Sequence, residues 1–416
     1  MHWRGAALGI TLGWAAASCV VGPRYERPQV QLVAFHNTSV AEQREARSPA
    51  PPLDRWWTGF EDPELTRIIL RAWRENLDLA GAYARVLQAR ASAAEAGSRL
   101  LPRGEANAQA AVIHQSLESP LGVFDSLLPG YDRNQKLYDF GATASWEIDL
   151  FGGLRRGAEA ASAEEQAAAA EEVGVRITVA AEAADAYFAV RGDQARLKFA
   201  QDQIDTDGKL LELVRLRFAA GAASDREVAQ SEALLAQARA TVPPLRLDLE
   251  SQMNRLDVLM GAQPGTYAKE LSTPADIPAV PAIPVETAAD ALLRRRPDVI
   301  AAERQVAAAN ALIGVAIAEY YPKISLSALL GFESLNGSHL FTGESFQPEA
   351  AAGLRWRLFD FGRVEAQVAG ARGAKAEALA RYRQTVLRAA EDVEDALMAL
   401  GPVNTRAGPR RRARSR

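Results

Sequence analysis

Two stretches of this chain of 416 residues copy one another, and no other feature restricts its fold as strongly. Shifted by 210 positions, Trp146 and Phe151-Gly152 fall on Trp356 and Phe361-Gly362, and Asp185-Ala186 falls on Asp395-Ala396. Shifted by 220, Leu101-Pro102 falls on Tyr321-Pro322. The two offsets differ, so a longer loop lies between the Pro and the Trp of the first copy. Pro264, Pro274, Pro278, Pro281 and Pro284 separate the copies and read as a linker.

Each copy opens on a long helical stretch, Glu64 to Leu101 and Glu286 to Tyr320, and a second follows each Phe-Gly pair, from about Arg155 and about Arg363. A helix of this length is a rod of roughly 50 Å, too long for a compact domain. From Val228 the residues Val228, Leu235, Val242, Leu249 and Leu256 recur every seven positions, the spacing of coiled-coil packing. Pro243-Pro244 removes backbone donors within that run and predicts a kink.

Between the helices the period changes to two. Tyr138, Phe140, Ala142, Ala144, Trp146, Ile148 and Leu150 alternate with Asp139, Gly141, Thr143, Ser145, Glu147 and Asp149. The same alternation sets Ile324 to Phe332 against Lys323, Ser325, Ser327 and Glu333, sets Leu354, Trp356 and Leu358 against Gly353, Arg355 and Arg357, and runs weakly through Ala106 to Val112. These are four strands, in two hairpins, each with one apolar and one polar face. A soluble sandwich has the same alternation. The strand lengths, the charges on the polar faces and an export signal favour a membrane barrel instead. Four strands cannot close, and an open edge in lipid leaves backbone groups unsatisfied, so other copies of the chain must complete it.

The export signal lies at the N-terminus: Arg4, an apolar stretch from Gly5 to Ala15, and small residues Ala16-Ala17-Ser18 before Cys19. The stretch is too short to span a bilayer, and no later segment is expected to do so. Cys19, the single cysteine, stands where a lipoprotein signal would place its lipid-bearing residue; Ala16, where such signals usually carry Leu, leaves an ordinary signal peptide as the other reading. The single cysteine excludes a disulfide within the chain.

Forty-eight Lys and Arg against fifty-two Asp and Glu give a net charge of -4, without the basic surplus that nucleic-acid binding needs. The four histidines are scattered, and no metal, phosphate-loop or nucleophile-elbow motif occurs. Glu391-Asp392 with Glu394-Asp395 reads as a solvated helix face. No enzyme activity is expected, and no cofactor beyond a covalent lipid on Cys19.

Arg55-Trp56-Trp57 with Asp62-Pro63, Arg295-Arg296-Pro297-Asp298-Val299 before Ala301-Ala302-Glu303, Tyr321-Pro322-Lys323-Ile324-Ser325-Leu326, and Cys19-Val20-Val21-Gly22-Pro23 with Pro28 resemble the outer-membrane efflux protein family. The likeness, from Cys19 to about Leu400, is to its TolC-like channels of the NodT lipoprotein type. It implies an α+β membrane protein: a long α-helical coiled-coil tunnel plus four β-strands per chain in a homotrimer's twelve-stranded barrel. It also implies passive transport of small molecules from periplasm to exterior, with a periplasmic adaptor and an inner-membrane pump as partners. Arg217, Gly221, Ser224 and Asp225 resemble the family's periplasmic tip, which the adaptor grips; by themselves they describe a capped helical turn. The barrel lumen would take Asp139, Glu147, Asp149, Lys323, Glu333, Arg355 and Arg357.

The expected organisation is a signal peptide (1–18), a lipid-anchored extension (19–63), the first repeat (64–261, hairpin 103–150), the linker (262–285), the second repeat (286–400, hairpin 322–361) and an Arg-rich tail (401–416). By the repeat, the second copy should run to about position 471. The reading therefore keeps three possibilities: an export duct, a non-conducting structural envelope lipoprotein, and a truncated, non-functional copy of such a channel in which no aperture residues can be assigned.

Overall fold

The computed structural model of the protein describes residues 20–30, 33–36, 53–281 and 289–406. Cys19, the rest of the signal region and the last ten residues of the tail lie outside them. The chain divides into two compact units. One holds the described residues up to 30 with 87–167 and 302–384, and the other holds the described residues of 31–86, 168–301 and 385–406.

Long helices account for most of both. α1 (Pro63–Glu75) starts with Pro63 in its first turn, where no donor is lost, and with Asp62 accepting from the amides of Glu64 (2.8 Å) and Leu65 (3.1 Å). The single helix expected from Glu64 to Leu101 is two. Asn76 turns to ψ 129° after α1, and its buried amide donates to the carbonyl of Leu259 (3.0 Å) while accepting from Leu79 N (2.9 Å). Those tertiary bonds outweigh helix continuity, and α2 (Leu77–Ser98) begins anew. α3 (Gly153–Ala219) is unbroken for 67 residues, roughly 100 Å. α4 (Asp225–Ala240) and α5 (Val242–Leu259) are separated at Thr241, two residues before Pro243-Pro244, yet Thr241 keeps helical angles (φ -77°, ψ -21°).

α6 (Pro297–Ala318) is preceded by a short helix, Ala289–Arg294, so the second opening stretch is also interrupted, at Arg295-Arg296. α6 is long and apolar enough to cross a membrane by length and composition alone, but it carries Glu303 and Arg304 and more than half of its apolar stretch is buried against the protein itself. α7 (Arg363–Arg406) carries helix through Gly401-Pro402, past the expected change of character at Leu400.

The second unit has a dry core. Leu65, Ile68, Ile69 and Ala72 of α1 meet Ala180, Ala183, Ala184 and Tyr187 of α3 and Met253 and Leu256 of α5. The alanines let helix backbones approach, and Trp57 and Trp73 fill the remaining space edge to face, 4.8 Å apart. The charged groups described in this core are held by ion pairs or hydrogen bonds. Arg191, 1% exposed, meets Glu64, Gln194 Oε1 (2.9 Å) and the carbonyl of Thr273 (2.6 Å). Tyr187 donates to Asp62 (2.5 Å), and Asp257 accepts from Gly265 N (2.6 Å) and Tyr267 N (3.1 Å).

The first unit holds one antiparallel sheet in the order β1 (Arg103–His114), β2 (Asn134–Ile148), β3 (Lys323–Ser334), β4 (Phe346–Arg355). The two expected hairpins are joined edge to edge through β2 and β3. β4 lies earlier than the alternation of Gly353 to Leu358 suggested. Trp356, Arg357 and Leu358 follow its end, as Asp149 follows the end of β2.

Candidate functional site

The register sorts the sheet's side chains by number. Across β1 and β2, Ala108 faces Phe140; across β2 and β3, Phe140 faces Phe332; across β3 and β4, Phe332 faces Phe346. Each pairing matches even with even, so one face of all four strands carries the even residues and is apolar almost throughout. Away from the tips it stands largely open: Leu330 is 61% and Leu354 68% exposed. A soluble protein does not leave so broad an apolar face in water.

Two features mark the ends of this face. Phe140, Phe332 and Phe346 share one row near the hairpin tips, and Phe341 of the β3–β4 loop folds back onto Phe140 and Phe332, 5.5 Å from each. At the helix end Trp146 donates to the carbonyl of Leu100 and Trp356 to that of Tyr320, both at 3.0 Å. The repeat offsets carry one bond onto the other. Aromatic rings with a polar handle suit the boundary between an apolar and a wet phase.

The opposite face carries Asp139, Glu147, Lys323, Glu333 and Arg355, as expected. It is graded. Lys323 faces Arg355 at the helix end, whereas Asp139 faces Glu333 near the tips, where Asn107 donates to Asp139 (2.7 Å). The other two expected lumen residues sit past the strand ends, tied to the helices. Asp149 accepts from Arg155 N (2.8 Å) and Nε (3.2 Å), capping α3, and Arg357 pairs with Glu319 (2.9 Å), which also holds Lys323. Alternation continued too far in the sequence reading because a cap and an ion pair use the same residue types as a polar strand face.

The segment after Cys19 is a strap on this unit. Val21 N donates to the carbonyl of Phe151 (3.0 Å), Arg156 Nε to that of Val21 (3.2 Å), and Asn310 to that of Pro23 (3.0 Å). Gly22, at φ +94°, crosses α6 at Gly314 so closely that a Cβ on it would stand 2.5 Å from the Gly314 Cα. Further on, Tyr25 (2.9 Å) and Arg27 (2.7 Å) reach buried Glu303, which also pairs with Arg304. Burial alone would raise the Glu303 carboxyl. The hydrogen bonds from Arg304 and Tyr25 and the charges of Arg304 and Arg27 outweigh it and hold the group below the usual carboxylate range. Cys19 itself lies outside the described residues; its neighbour Val20 packs against Gly152 at the start of α3.

In the second unit, α3 turns back into α4 through the expected motif. Gly221 sits at φ +74°, Ala222 N reaches back to the carbonyl of Arg217 (2.8 Å), and the Arg217 guanidinium donates to the carbonyl of Ala222 (3.2 Å). Of the two capping candidates, Ser224 is the cap and Asp225 begins the helix. Glu227, which the sequence reading passed over although Ser-x-x-Glu spells a capping box, accepts from Ser224 N (2.6 Å). The hydrogen bonds from the Ser224 backbone and hydroxyl hold its pKa below the ordinary glutamate value.

A sheet with one lipid-compatible and one charged face, carried by helices of this length, defines an α+β channel fold. The chain belongs to the outer membrane efflux protein family, whose profile matches residues 68–262 and 288–405. It is similar to the pyoverdine export outer membrane protein OpmQ of Pseudomonas aeruginosa, 32% identical over 357 residues that cover 85% of this chain and 73% of OpmQ. Nodulation protein T of Rhizobium leguminosarum bv. trifolii is 29% identical over 394 residues, 92% of this chain and 79% of that protein. The solved outer-membrane channel OprN superposes with a TM-score of 0.82 at 33% identity, covering 93% of this chain and 84% of OprN. The family profile reaches residue 405, in step with α7 and beyond the expected limit at Leu400.

Proposed function

We propose that this protein is the outer-membrane channel of a tripartite efflux system: a homotrimer that carries small molecules passively from periplasm to exterior. The even-numbered face carries the reading. It is apolar on all four strands, and the sheet ends in two unpaired edges, those of β1 and β4. In lipid each unpaired backbone group costs several kcal/mol, so a stable arrangement joins β4 of one copy to β1 of the next. Consecutive strands here are antiparallel, and any even total continues that alternation around a closed ring; three copies make twelve. The charged odd face then lines the lumen, with Asp139, Glu147, Lys323, Glu333 and Arg355 pointing inward and Asp149 and Arg357 at its helix end.

The capped turn from Arg217 to Asp225 is the natural contact for a periplasmic adaptor, which would link the channel to an inner-membrane pump. A lipid on Cys19 would hold the strap at the membrane beside the base of the sheet. The names of OpmQ and the solvent and toluene efflux proteins support this family-wide role. Reconstitution in planar bilayers, together with export from a channel-deficient cell, tests it. Discrete conductance steps and restored export are expected, whereas a trimer that inserts yet stays silent in both assays would make the protein a non-conducting envelope component.

A further inference from the structure

We infer that neighbouring copies of this chain join β4 to β1 in one register, in which Arg357 faces Glu105 of the next copy; this rests on reading the sheet as part of a multi-chain barrel. The argument begins with the repeat. Moving the β1–β2 pair Arg103↔Ser145 by 220 and 210 positions gives Lys323↔Arg355, the pair found between β3 and β4. The same shift still holds at the far end, where Val112↔Lys136 becomes Phe332↔Phe346. The two tryptophan hydrogen bonds obey it too. The hairpins are therefore repeats in their bonding as well as in sequence.

Within the chain, the β2–β3 seam joins the first hairpin to the second. Closing the barrel requires the reverse seam, second to first, across copies. Carrying β2 residues forward by 210 and β3 residues back by 220 converts Tyr138↔Ser334 into Pro348↔His114, and Ile148↔Ile324 into Leu358↔Gly104.

Chemistry that played no part in the shift agrees with the result. Even residues again meet even ones, so the apolar face continues from copy to copy. The glycine pair Gly141↔Gly331 becomes Ala351↔Ala111, again small against small. Glu147↔Ser325 becomes Arg357↔Glu105, a pair of opposite charge on the polar face. Phe151 stacks on Tyr321 within the chain, with centroids 4.5 Å apart, and the same shift brings Phe361 to Leu101. Phe361 is 100% and Leu101 65% exposed in the single chain, so each apolar surface lacks the cover the other would supply. Slipping the seam by one residue would set the apolar face of one copy against the polar face of the next. Slipping it by two would set Arg357 against Arg103 in one direction and against Asn107 in the other. The seam also accounts for the early end of β4: its last three residues by repeat, Trp356 to Leu358, become strand when β1 of another copy pairs with them.

Cysteine pairs in the full-length protein test the register. Arg355→Cys with Asn107→Cys should give a covalent ladder up to the trimer under mild oxidation, while either single variant should give no ladder. Arg355→Cys with Glu105→Cys, or with Gln109→Cys, should give markedly less. Ala351→Cys with Ala111→Cys probes the same register without removing a charged group. The mass of the detergent-purified, unoxidised protein is measured in parallel. A trimer crosslinked best at a slipped pair overturns the register and leaves the channel reading intact; a monomer overturns both.

Discussion

The helical core of the second unit and the sheet of the first use the same apolar residue types for opposite purposes. Leu65, Ile68 and Ile69 are fully buried among other side chains, whereas Leu330 and Leu354 stand more than half exposed on a face of the sheet. The core was assembled against water, and the charged groups described in it are held by ion pairs or hydrogen bonds. The sheet's even face asks for a second apolar phase that the chain does not contain. Burial in one chain therefore measures hydrophobic need only in the first region; in the second, the register is the better guide.

Mutations can break this contrast. The largest effect is expected in the core: Arg191→Leu removes one member of the Arg191–Glu64 pair and leaves a carboxylate and the Thr273 carbonyl without their donor. The expected loss is about 3 to 5 kcal/mol, seen as a lowered denaturation midpoint in detergent. A wild-type midpoint would mean that water reaches Glu64 freely.

A somewhat smaller effect sharpens the contrast within the sheet. Leu330→Arg places a cation on the even face and should cost about 2 to 4 kcal/mol near the bilayer midplane. Thr143→Arg, on the odd face beside Glu105, should leave the heat-resistant oligomer unchanged. Equal losses from both variants would dissolve the distinction between the faces.

The smallest effect belongs to the tip, which has no core. Ser224→Ala should loosen the start of α4 by about 1 kcal/mol, read as faster hydrogen exchange of the Glu227 and Val228 amides with no change elsewhere. Its pH dependence has a definite sign. Glu227 is more acidic in the folded turn than in an unfolded chain, so its contribution is complete above the ordinary glutamate pKa of about 4.3 and fades as the pH falls through the lowered value. Protection at the tip that the Glu227→Gln variant shares with the wild type at neutral pH would remove Glu227 from the cap.

What could be read from the sequence follows the same division. Period-two alternation announced the strands because a sheet between lipid and water sorts residues strictly, and the offsets of 210 and 220 carried over into hydrogen bonds between Trp146 and Leu100 and between Trp356 and Tyr320. The turn at Gly221 was legible because caps are local. The buried pairs were not: Arg191 and Glu64 are 127 positions apart, and each looks like an ordinary solvated helix residue until the fold joins them. Asn76 likewise breaks a good helix for the sake of the Leu259 carbonyl, 183 positions away. Asp149 and Arg357 lie just past the strand ends of the single chain, which the strand's period gave no means of locating.

The strap has a consequence in time. Its glycine lies backbone to backbone on α6, and its carbonyls are held by Arg156 and Asn310, 135 and 287 positions further along the chain. The segment behind Cys19 thus precedes its seat by most of the intervening chain, and the strap can close only once the Gly314 and Asn310 stretch of α6 is in place.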